Sequence, residues 1–188
     1  MRLPPSLLIC ALLAGCATNS ASIEQEWHAP NAQAHLLTNV VALVPARDGA
    51  LRRSGEERLA AQLRHRGIRA VPAYTVLSPE DYSDKERAAE TMRAAGFDSV
   101  VAMRFVGAEH RVDYEPGYYT FWGGTWDTVM PETIVRIEIN AYALDGDRLV
   151  WSAMSKSVDP DSMEDMINDV TSVAARELVK DRVIMASR

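Results

Sequence analysis

The sequence predicts a mixed α/β domain, in which a parallel βαβαβ half precedes an antiparallel meander and a C-terminal helix. Three observations predict this class. Apolar runs alternate with helical repeats over residues 39–98, a period of two follows over 99–158, and a helical repeat returns after Asp159. Strands that alternate with helices favour a parallel sheet, and strands joined by tight turns favour an antiparallel one. We expect roughly five strands in one mixed sheet, for which the order 2-1-3-4-5 obeys the crossover rules.

The first half of the sheet is predicted from apolar runs and helix ends. Residues 39–44 (NVVALV) are apolar enough for a strand covered on both faces. The helix that follows ends at Gly67 and has an inward-facing residue every four positions, at Leu51, Gly55, Leu59 and Leu63. A second strand is predicted at 68–74. Ser83 to Glu86 have the form of a capping box, which opens a second helix that ends at Gly96.

The second half is predicted from strict alternation of apolar and polar side chains. Strands are expected at 99–114, 134–144 and 148–158, and Asp145-Gly146 is a strong hairpin turn between the last two. Asp159 is expected to cap the final helix, with Pro160 at its first position. The apolar stripe of that helix comprises Met163, Ile167, Val170, Ala174 and Leu178.

The first sixteen residues predict where the protein works. Arg2 precedes the short apolar run Leu7 to Leu13, which is too short to span a bilayer and is typical of a signal peptide. The sequence Leu13-Ala14-Gly15-Cys16 resembles the lipobox of bacterial lipoproteins, which implies that Cys16 is lipidated. The alternative is an ordinary secretory signal with a chance cysteine. We therefore expect a signal peptide at 1–15, a lipidated flexible tether at 16–37 and one periplasmic domain at 38–188.

Charge and cysteine content exclude several classes. After loss of Arg2, 19 basic and 26 acidic side chains leave a net charge of −7. This charge argues against nucleic acid and against electrostatic adhesion to anionic lipid, so that membrane attachment depends on the lipid chains. Cys10 lies in the signal and Cys16 is the lipidation candidate, so the mature domain has no cysteine for a disulfide or metal site. We expect no cofactor and no metal.

An aromatic, glycine-containing connection is predicted between residues 114 and 133. Hairpin connections usually need two to five residues, and longer ones tend to be functional or mobile. Tyrosine and tryptophan are enriched at binding hot spots, which makes this segment a candidate contact for a protein partner. The alternative, equally supported by the sequence, is that it folds over the end of the sheet as a satellite core. The candidate contact residues are Tyr114, Tyr118, Tyr119, Phe121, Trp122 and Trp126.

Catalytic motifs are absent from the sequence. The four histidines show no metal-ligand spacing, and no nucleophile elbow, P-loop or dinucleotide fingerprint occurs. Ligands of mixed α/β sheets bind outside the carboxyl ends of the parallel strands, which makes Arg47, Arg52 and Arg53 a weak candidate anion site. The favoured alternative is that Arg52 and Arg53 pair with Glu56 and Glu57 on the helix surface.

The mature chain resembles a family of uncharacterised proteobacterial lipoproteins. The resemblance rests on Trp27 with Pro30, Arg53 with Glu56, Gly67 with Val71-Pro72, Gly96-Phe97-Asp98, and Leu149 to Ser152 with Asp159-Pro160. The order of elements is similar to the amino-terminal domain of the Tol–Pal translocation protein and to the curli-secretion-channel lipoprotein. If the sorting pattern of lipoproteins holds, Ala17 after the cysteine implies the outer membrane, with the domain on its periplasmic face.

These observations favour a non-enzymatic binding or adaptor module that is anchored to the outer membrane by Cys16. One alternative is an oligomeric, secretion-channel-like envelope component, in which the hairpin around 106–140 enters a membrane. Charges along one face of that hairpin argue against membrane entry. A second alternative is an enzyme, which would require a deep pocket holding a strongly perturbed carboxylate or histidine.

Overall fold

The computed structural model describes residues 21–30, 37–115 and 128–185, and for 112–115 and 128–130 the backbone alone. One six-stranded mixed sheet is packed between three α-helices. The strands are β1 (Ala21–His28), β2 (Asn39–Leu43), β3 (Arg69–Pro72), β4 (Ser99–Glu115), β5 (Thr128–Ala143) and β6 (Arg148–Val158). The helices are α1 (Gly49–His65), α2 (Lys85–Ala94) and α3 (Met163–Lys180), with 3₁₀ turns at Ala73–Thr75 and Asp81–Ser83.

The sheet confirms the predicted class and the predicted order, and adds one strand. Its order is β1-β6-β5-β4-β2-β3, in which β2 pairs in parallel with both β3 and β4, and the remaining pairs are antiparallel. Without β1 this is the order 2-1-3-4-5. The tether prediction is wrong for Ala21–His28, which pair with β6. As an edge strand β1 buries few side chains, Ala21 among them, so its sequence lacks the apolar signal of a strand.

Two predicted helix starts are displaced. The N-cap of α2 is Asp84, whose carboxylate accepts the Arg87 backbone N–H at 3.0 Å, whereas Ser83 ends the preceding 3₁₀ turn. The N-cap of α3 is Ser162 rather than Asp159. Asp159 instead adopts a φ of 43° and accepts the Thr133 N–H at 2.7 Å, so it closes the end of the sheet. Serine and aspartate both serve as N-caps, and each of these helix starts offers one of each within three residues, which is why the sequence misplaced both starts.

The two faces of the sheet are covered unequally. Helices α1 and α3 pack side by side on one face, which we call the closed face, where Leu59, Leu63, Ile139, Trp151 and Leu178 are fully buried. The opposite face, which we call the open face, carries α2 and a smaller cluster that includes Val100 and Met92. Beyond α2 its side chains are half-buried or polar, such as Glu138, Asn140 and Met154. The molecule is therefore held together mainly by the closed face.

Strands β4 and β5 extend past the rest of the sheet as a two-stranded hairpin. The last residue of β6, Val158, is paired with Ile134, and β4 and β5 continue pairing from His110↔Thr133 to Glu115↔Thr128. We call His110–Glu115 and Thr128–Thr133 the arm. Six residues of strand span about 20 Å. The expected connection between residues 114 and 133 is thus wrong at both ends, because β4 continues to Glu115 and β5 begins at Thr128. Of the helices among the described residues, none combines the length and the apolar character needed to cross a membrane.

Candidate functional site

The aromatic segment that the sequence singled out is attached to the end of the arm. Tyr114 lies within β4 in the arm, where it is paired with Val129. Tyr118, Tyr119, Phe121, Trp122 and Trp126 lie outside the described residues, as does the lipidation candidate Cys16. Residues 116–127 connect Glu115 to Thr128, so chain connectivity joins five of the six aromatic candidates to the part of the hairpin that leaves the sheet.

Charged side chains occupy the base of this hairpin. The Arg136 guanidinium donates from Nε to Glu24 at 3.0 Å and from Nη1 to Glu109 at 2.8 Å, and Arg111 lies 3.6 Å from Glu109. The pKa of Arg136 is raised, and the largest cause is its hydrogen bond to the carboxylate of Glu24. These charged groups oppose transfer of the hairpin base into lipid, because a charged side chain is costly to place there.

A second candidate site lies where the parallel strands end. The Glu56 side chain of α1 is fully buried there. Its carboxylate accepts backbone N–H groups from Tyr74, just after β3, at 2.9 Å and from Val44, just after β2, at 3.4 Å. The Tyr82 hydroxyl, from the second 3₁₀ turn, donates to both carboxylate oxygens at 3.0 and 3.1 Å. Glu56 therefore joins the ends of two strands to the open face.

Close packing of α1 puts Glu56 in this position. A Cβ at Gly55 would lie 3.1 Å from Cγ2 of Val44, so a larger residue there would press against the residue that follows β2. Burial raises the pKa of Glu56, although the hydrogen bonds from Tyr74, Tyr82 and Val44 and the charge of Arg52 oppose the shift. The sequence predicted Glu56 as a surface partner for arginine, because a glutamate one turn along an amphipathic helix usually lies in solvent.

The candidate anion-binding arginines are not gathered around one point. Arg47 is exposed before α1. The guanidinium of Arg52 lies 4.2 Å from the ring centroid of Tyr82, and that of Arg53 lies 5.5 Å from the ring centroid of Tyr74. The expected pairing is wrong for Glu57, which accepts from Arg64 and from the Tyr74 hydroxyl instead. An anion site at these arginines stays a prediction.

An apolar cleft of about 340 Å³ lies beside Tyr82, between α2 and the open face of the sheet. Its floor is formed by strand residues and the residue after β5: Leu43, Val100, Ala102, Tyr142 and Leu144. Its roof is the inner side of α2: Ala88, Ala89 and Met92. The cleft exists because the methyl groups of two alanines do not fill the space that longer side chains would occupy. Sequence reasoning identified this end of the sheet but not the cleft, which arises from packing.

Charged side chains line both ends of the cleft. Near the start of α2, Asp81 is paired with Arg87 Nε at 2.8 Å, and near the end of α2, Asp147 is paired with Arg93 Nη1 at 3.0 Å. Lys85, the first residue of α2, lines the cleft at the Asp81 end and makes no hydrogen bond or ion pair to any side chain that the structure describes. A cation in the first turn is also repelled by the helix dipole. At that end of the cleft the ammonium group of Lys85 is therefore available to an anionic ligand.

Three metal-ligating side chains meet on the closed face at the end of α3. Ligand atoms of Glu26, His28 and Asp181 lie within 4.8 Å of one another. The buried Trp151 indole N–H donates to a carboxylate oxygen of Glu26 and of Asp181, at 3.1 Å each. Hydrogen bonding with Asp181, then burial, raises the pKa of Glu26. No sequence signal predicts this group, because Glu26 and His28 share a face only if residues 21–28 form a strand.

This group could hold a divalent cation, but its members already have partners. The Trp151 N–H binds both carboxylates, and His28 Nε2 lies 3.9 and 3.7 Å from Glu26 and Asp181. These contacts fasten the edge strand β1 to α3. This structural role explains why the three side chains lie together.

The fold and its sites define a class: a mixed α/β sheet domain with one closed face, an apolar cleft and a projecting hairpin. No protein-family model matches the chain, and no curated protein sequence matches it. Among solved structures, it is similar to the PelC dodecamer from Paraburkholderia phytofirmans, at 18% identity and a TM-score of 0.49, over 89% of this chain and 99% of that one.

Two further solved structures to which the chain is similar are bacterial lipoproteins. Lipoprotein GNA1162 from Neisseria meningitidis aligns at 14% identity and a TM-score of 0.41, over 76% of this chain and 99% of that one. A minor lipoprotein from Acinetobacter baumannii aligns at 11% identity and a TM-score of 0.34, over 78% of this chain and 95% of that one. At such identities the likeness concerns the path of the chain, and function is argued from the sites above.

Proposed function

We propose that this protein is a lipid-anchored lipoprotein of the bacterial envelope that acts as a non-enzymatic binding module, with the aromatic segment 116–127 as its contact surface. The observation that carries the proposal is the arm. Paired strands lead away from the sheet for six residues on each side, and the aromatic side chains follow at the end of that extension. The paired strands carry the segment away from the end of the sheet, which favours a contact surface over a satellite core.

The anchor is supported by the sequence of the first sixteen residues. Two or more acyl chains hold a protein on a bilayer stably, where one chain does not. Neither the negative net charge nor the described helices supply another means of attachment. The outer membrane is part of the proposal on account of Ala17, which follows the candidate cysteine.

The charged base of the arm favours a protein contact over membrane entry. Arg136 of β5 bridges Glu109 of β4 and Glu24 of the edge strand β1. A hairpin that spans lipid needs about nine to eleven residues of outward apolar alternation on each strand. The ion pairs would lie inside that length.

Metabolic labelling with radioactive palmitate tests the anchor. Label is expected on the wild type and on Cys10→Ser, and it is expected to be lost in Cys16→Ser. Cys10→Ser is the matched control, because it removes the other cysteine of the chain. Label that survives in Cys16→Ser contradicts the anchor.

Replacement of Tyr119, Trp122 and Trp126 by Ser tests the contact surface. Because these side chains are proposed to bind a partner rather than to fill a core, the triple variant is expected to lose partner capture while its thermal unfolding changes little. Unfolding of the domain by the same three replacements would show that the segment is core. A variant that keeps both fold and capture contradicts the proposed surface.

A further inference from the structure

We propose that the cleft between α2 and the open face binds a single-chain fatty acid, with its aliphatic chain under Ala88 and Ala89 and its carboxylate at Lys85. This inference concerns a site separate from the arm and does not depend on the proposed function. It rests on three features of the cleft: its apolar lining, its size and the unpartnered lysine near the start of α2.

The lining selects for a flexible aliphatic group. Floor and roof are formed by aliphatic or aromatic side chains, among them Leu43, Val100 and Met92, and the charged lining residues lie near the two ends of α2. Ligand sites typically combine an apolar enclosure with a few polar groups that fix orientation. A volume of about 340 Å³ fits this class, and at about 30 Å³ per water-sized group it holds a chain of roughly ten carbons.

The charge near the start of α2 selects for an anionic head. Asp81 at that end and Asp147 at the other end are each paired with an arginine, so neither repels a carboxylate as a free charge would. Lys85 has no partner among the described side chains and lines the Asp81 end of the cleft. A fatty acid therefore matches both halves of the site, since its methylenes replace solvent in the cleft and its carboxylate meets the ammonium group.

One end of the cleft lies where such sheets bind ligands. In open α/β sheets the site lies outside the carboxyl ends of the parallel strands, where the order of strands reverses. Here β2 lies between β3 and β4, and its last residue, Leu43, lines that end of the cleft together with Pro45. From there the cleft extends under α2 to Leu144, which lies beside the amino end of β4.

The test is photolabelling of the full-length chain in membranes with a ten-carbon fatty acid that carries a terminal diazirine, followed by peptide mapping. Label is expected on peptides of the cleft, such as those that contain Met92 or Leu144. Competition by unlabelled acids is expected to strengthen about fourfold per added methylene up to roughly ten carbons and then to level off, because the cleft is full. Label that maps outside the cleft overturns the proposal.

Matched variants separate the cleft from general partitioning into lipid. Ala102→Leu fills the floor and is expected to abolish the label, whereas Ala108→Leu, an exposed position on the same strand, is expected to keep it. If Ala102→Leu fails to fold, Lys85→Gln decides. It is expected to weaken competition by decanoate about fivefold, and Lys156→Gln on β6 is the control with no effect.

The head group is tested with neutral and zwitterionic competitors of the same chain length. Decyl alcohol and a ten-carbon lysophosphatidylcholine are expected to compete several-fold less well than decanoate, because neither carries a net negative charge for Lys85. Competition by either that equals decanoate overturns the fatty-acid assignment. Equal labelling of Ala102→Leu and Ala108→Leu would overturn it as well.

Discussion

The closed and open faces of the sheet are made by the same strands, yet they differ in how completely they are covered. Two helices of 17 and 18 residues cover the closed face, and the ten residues of α2 cover part of the open face. On the closed face Trp151 is fully buried against α3 and β1. On the open face Tyr142 is half-buried beside an apolar cleft. Stability therefore resides on one face, which leaves the other face and the arm free to bind.

The largest expected effect compares one aromatic side chain from each face. Trp151→Ala is expected to lower the free energy of unfolding by about 3–5 kcal/mol, because it opens a large cavity and removes the indole N–H from Glu26 and Asp181. Tyr142→Ala is expected to cost about 1–2 kcal/mol, since its ring already borders an open cleft. Urea denaturation measures both. Equal losses would mean that the faces contribute alike.

The next effect concerns the carboxylate that joins the faces. Glu56→Ala is expected to cost about 2–4 kcal/mol, because it leaves the N–H groups of Tyr74 and Val44 without an acceptor in a buried site. The adjacent Glu57→Ala is the matched control, as Glu57 is exposed and bonded to Arg64. Its expected cost is below about 1 kcal/mol. If both variants unfold at the same urea concentration, Glu56 does not hold the strand ends.

Two carboxylates at opposite ends of the parallel strands are expected to respond to pH with opposite sign. Asp98 is partly buried, which alone would raise its pKa. Hydrogen bonds from Thr38, Asn39 and Ser99 outweigh burial and lower the pKa. Its contribution to stability is present above its ordinary pKa and is lost as the pH falls. The raised pKa of Glu56 has the reverse effect, a contribution present below its ordinary pKa and lost as the pH rises.

Unfolding free energies at pH 7, pH 4 and pH 2.5 check these signs. The stability gap between wild type and Asp98→Asn is expected to change little from pH 7 to pH 4 and to narrow from pH 4 to pH 2.5, because the lowered pKa of Asp98 puts its protonation in the lower interval. The gap between wild type and Glu56→Gln is expected to widen from pH 7 to pH 4. If both stability gaps change in the same direction as the pH falls, the pKa values of the two carboxylates are not shifted in opposite directions.

The smallest effect is expected on the exposed part of the open face. Arg104 Nε donates to Glu138 at 3.0 Å across β4 and β5, in a pair that water reaches freely. Arg104→Ala is expected to change the free energy of unfolding by less than about 0.5 kcal/mol. A loss above about 1 kcal/mol in urea denaturation would mean that this uncovered area carries stability after all.

The sequence was sufficient to locate an element wherever its apolar residues recur with the period of a strand or a helix. The five strands of the core and their order followed from apolar runs, alternation and the crossover rule, and all three α-helices were located. It was insufficient for Ala21–His28, because a mostly exposed edge strand has little apolar pattern, and for the starts of α2 and α3, because several residues at each start can cap a helix.

The candidate sites were predictable to different degrees. The arginines before and within α1 directed attention to the end of the sheet where Glu56 lies, and an anion site there stays a prediction. The buried position of Glu56 and the cleft depend on packing between elements that are distant in sequence. The Glu26, His28 and Asp181 cluster joins residues more than 150 positions apart, so no spacing rule could find it. The aromatic segment was identified by composition alone.

In-cell photocrosslinking most directly tests the central claim that the segment at the end of the arm is the contact surface. A photoreactive residue is placed at position 122 in one strain and at position 27 in another, since Trp27 is a body residue with 48% of its surface exposed. Discrete protein adducts are expected from position 122 and not from position 27. Adducts from position 27 alone, or none from either position, would contradict the account.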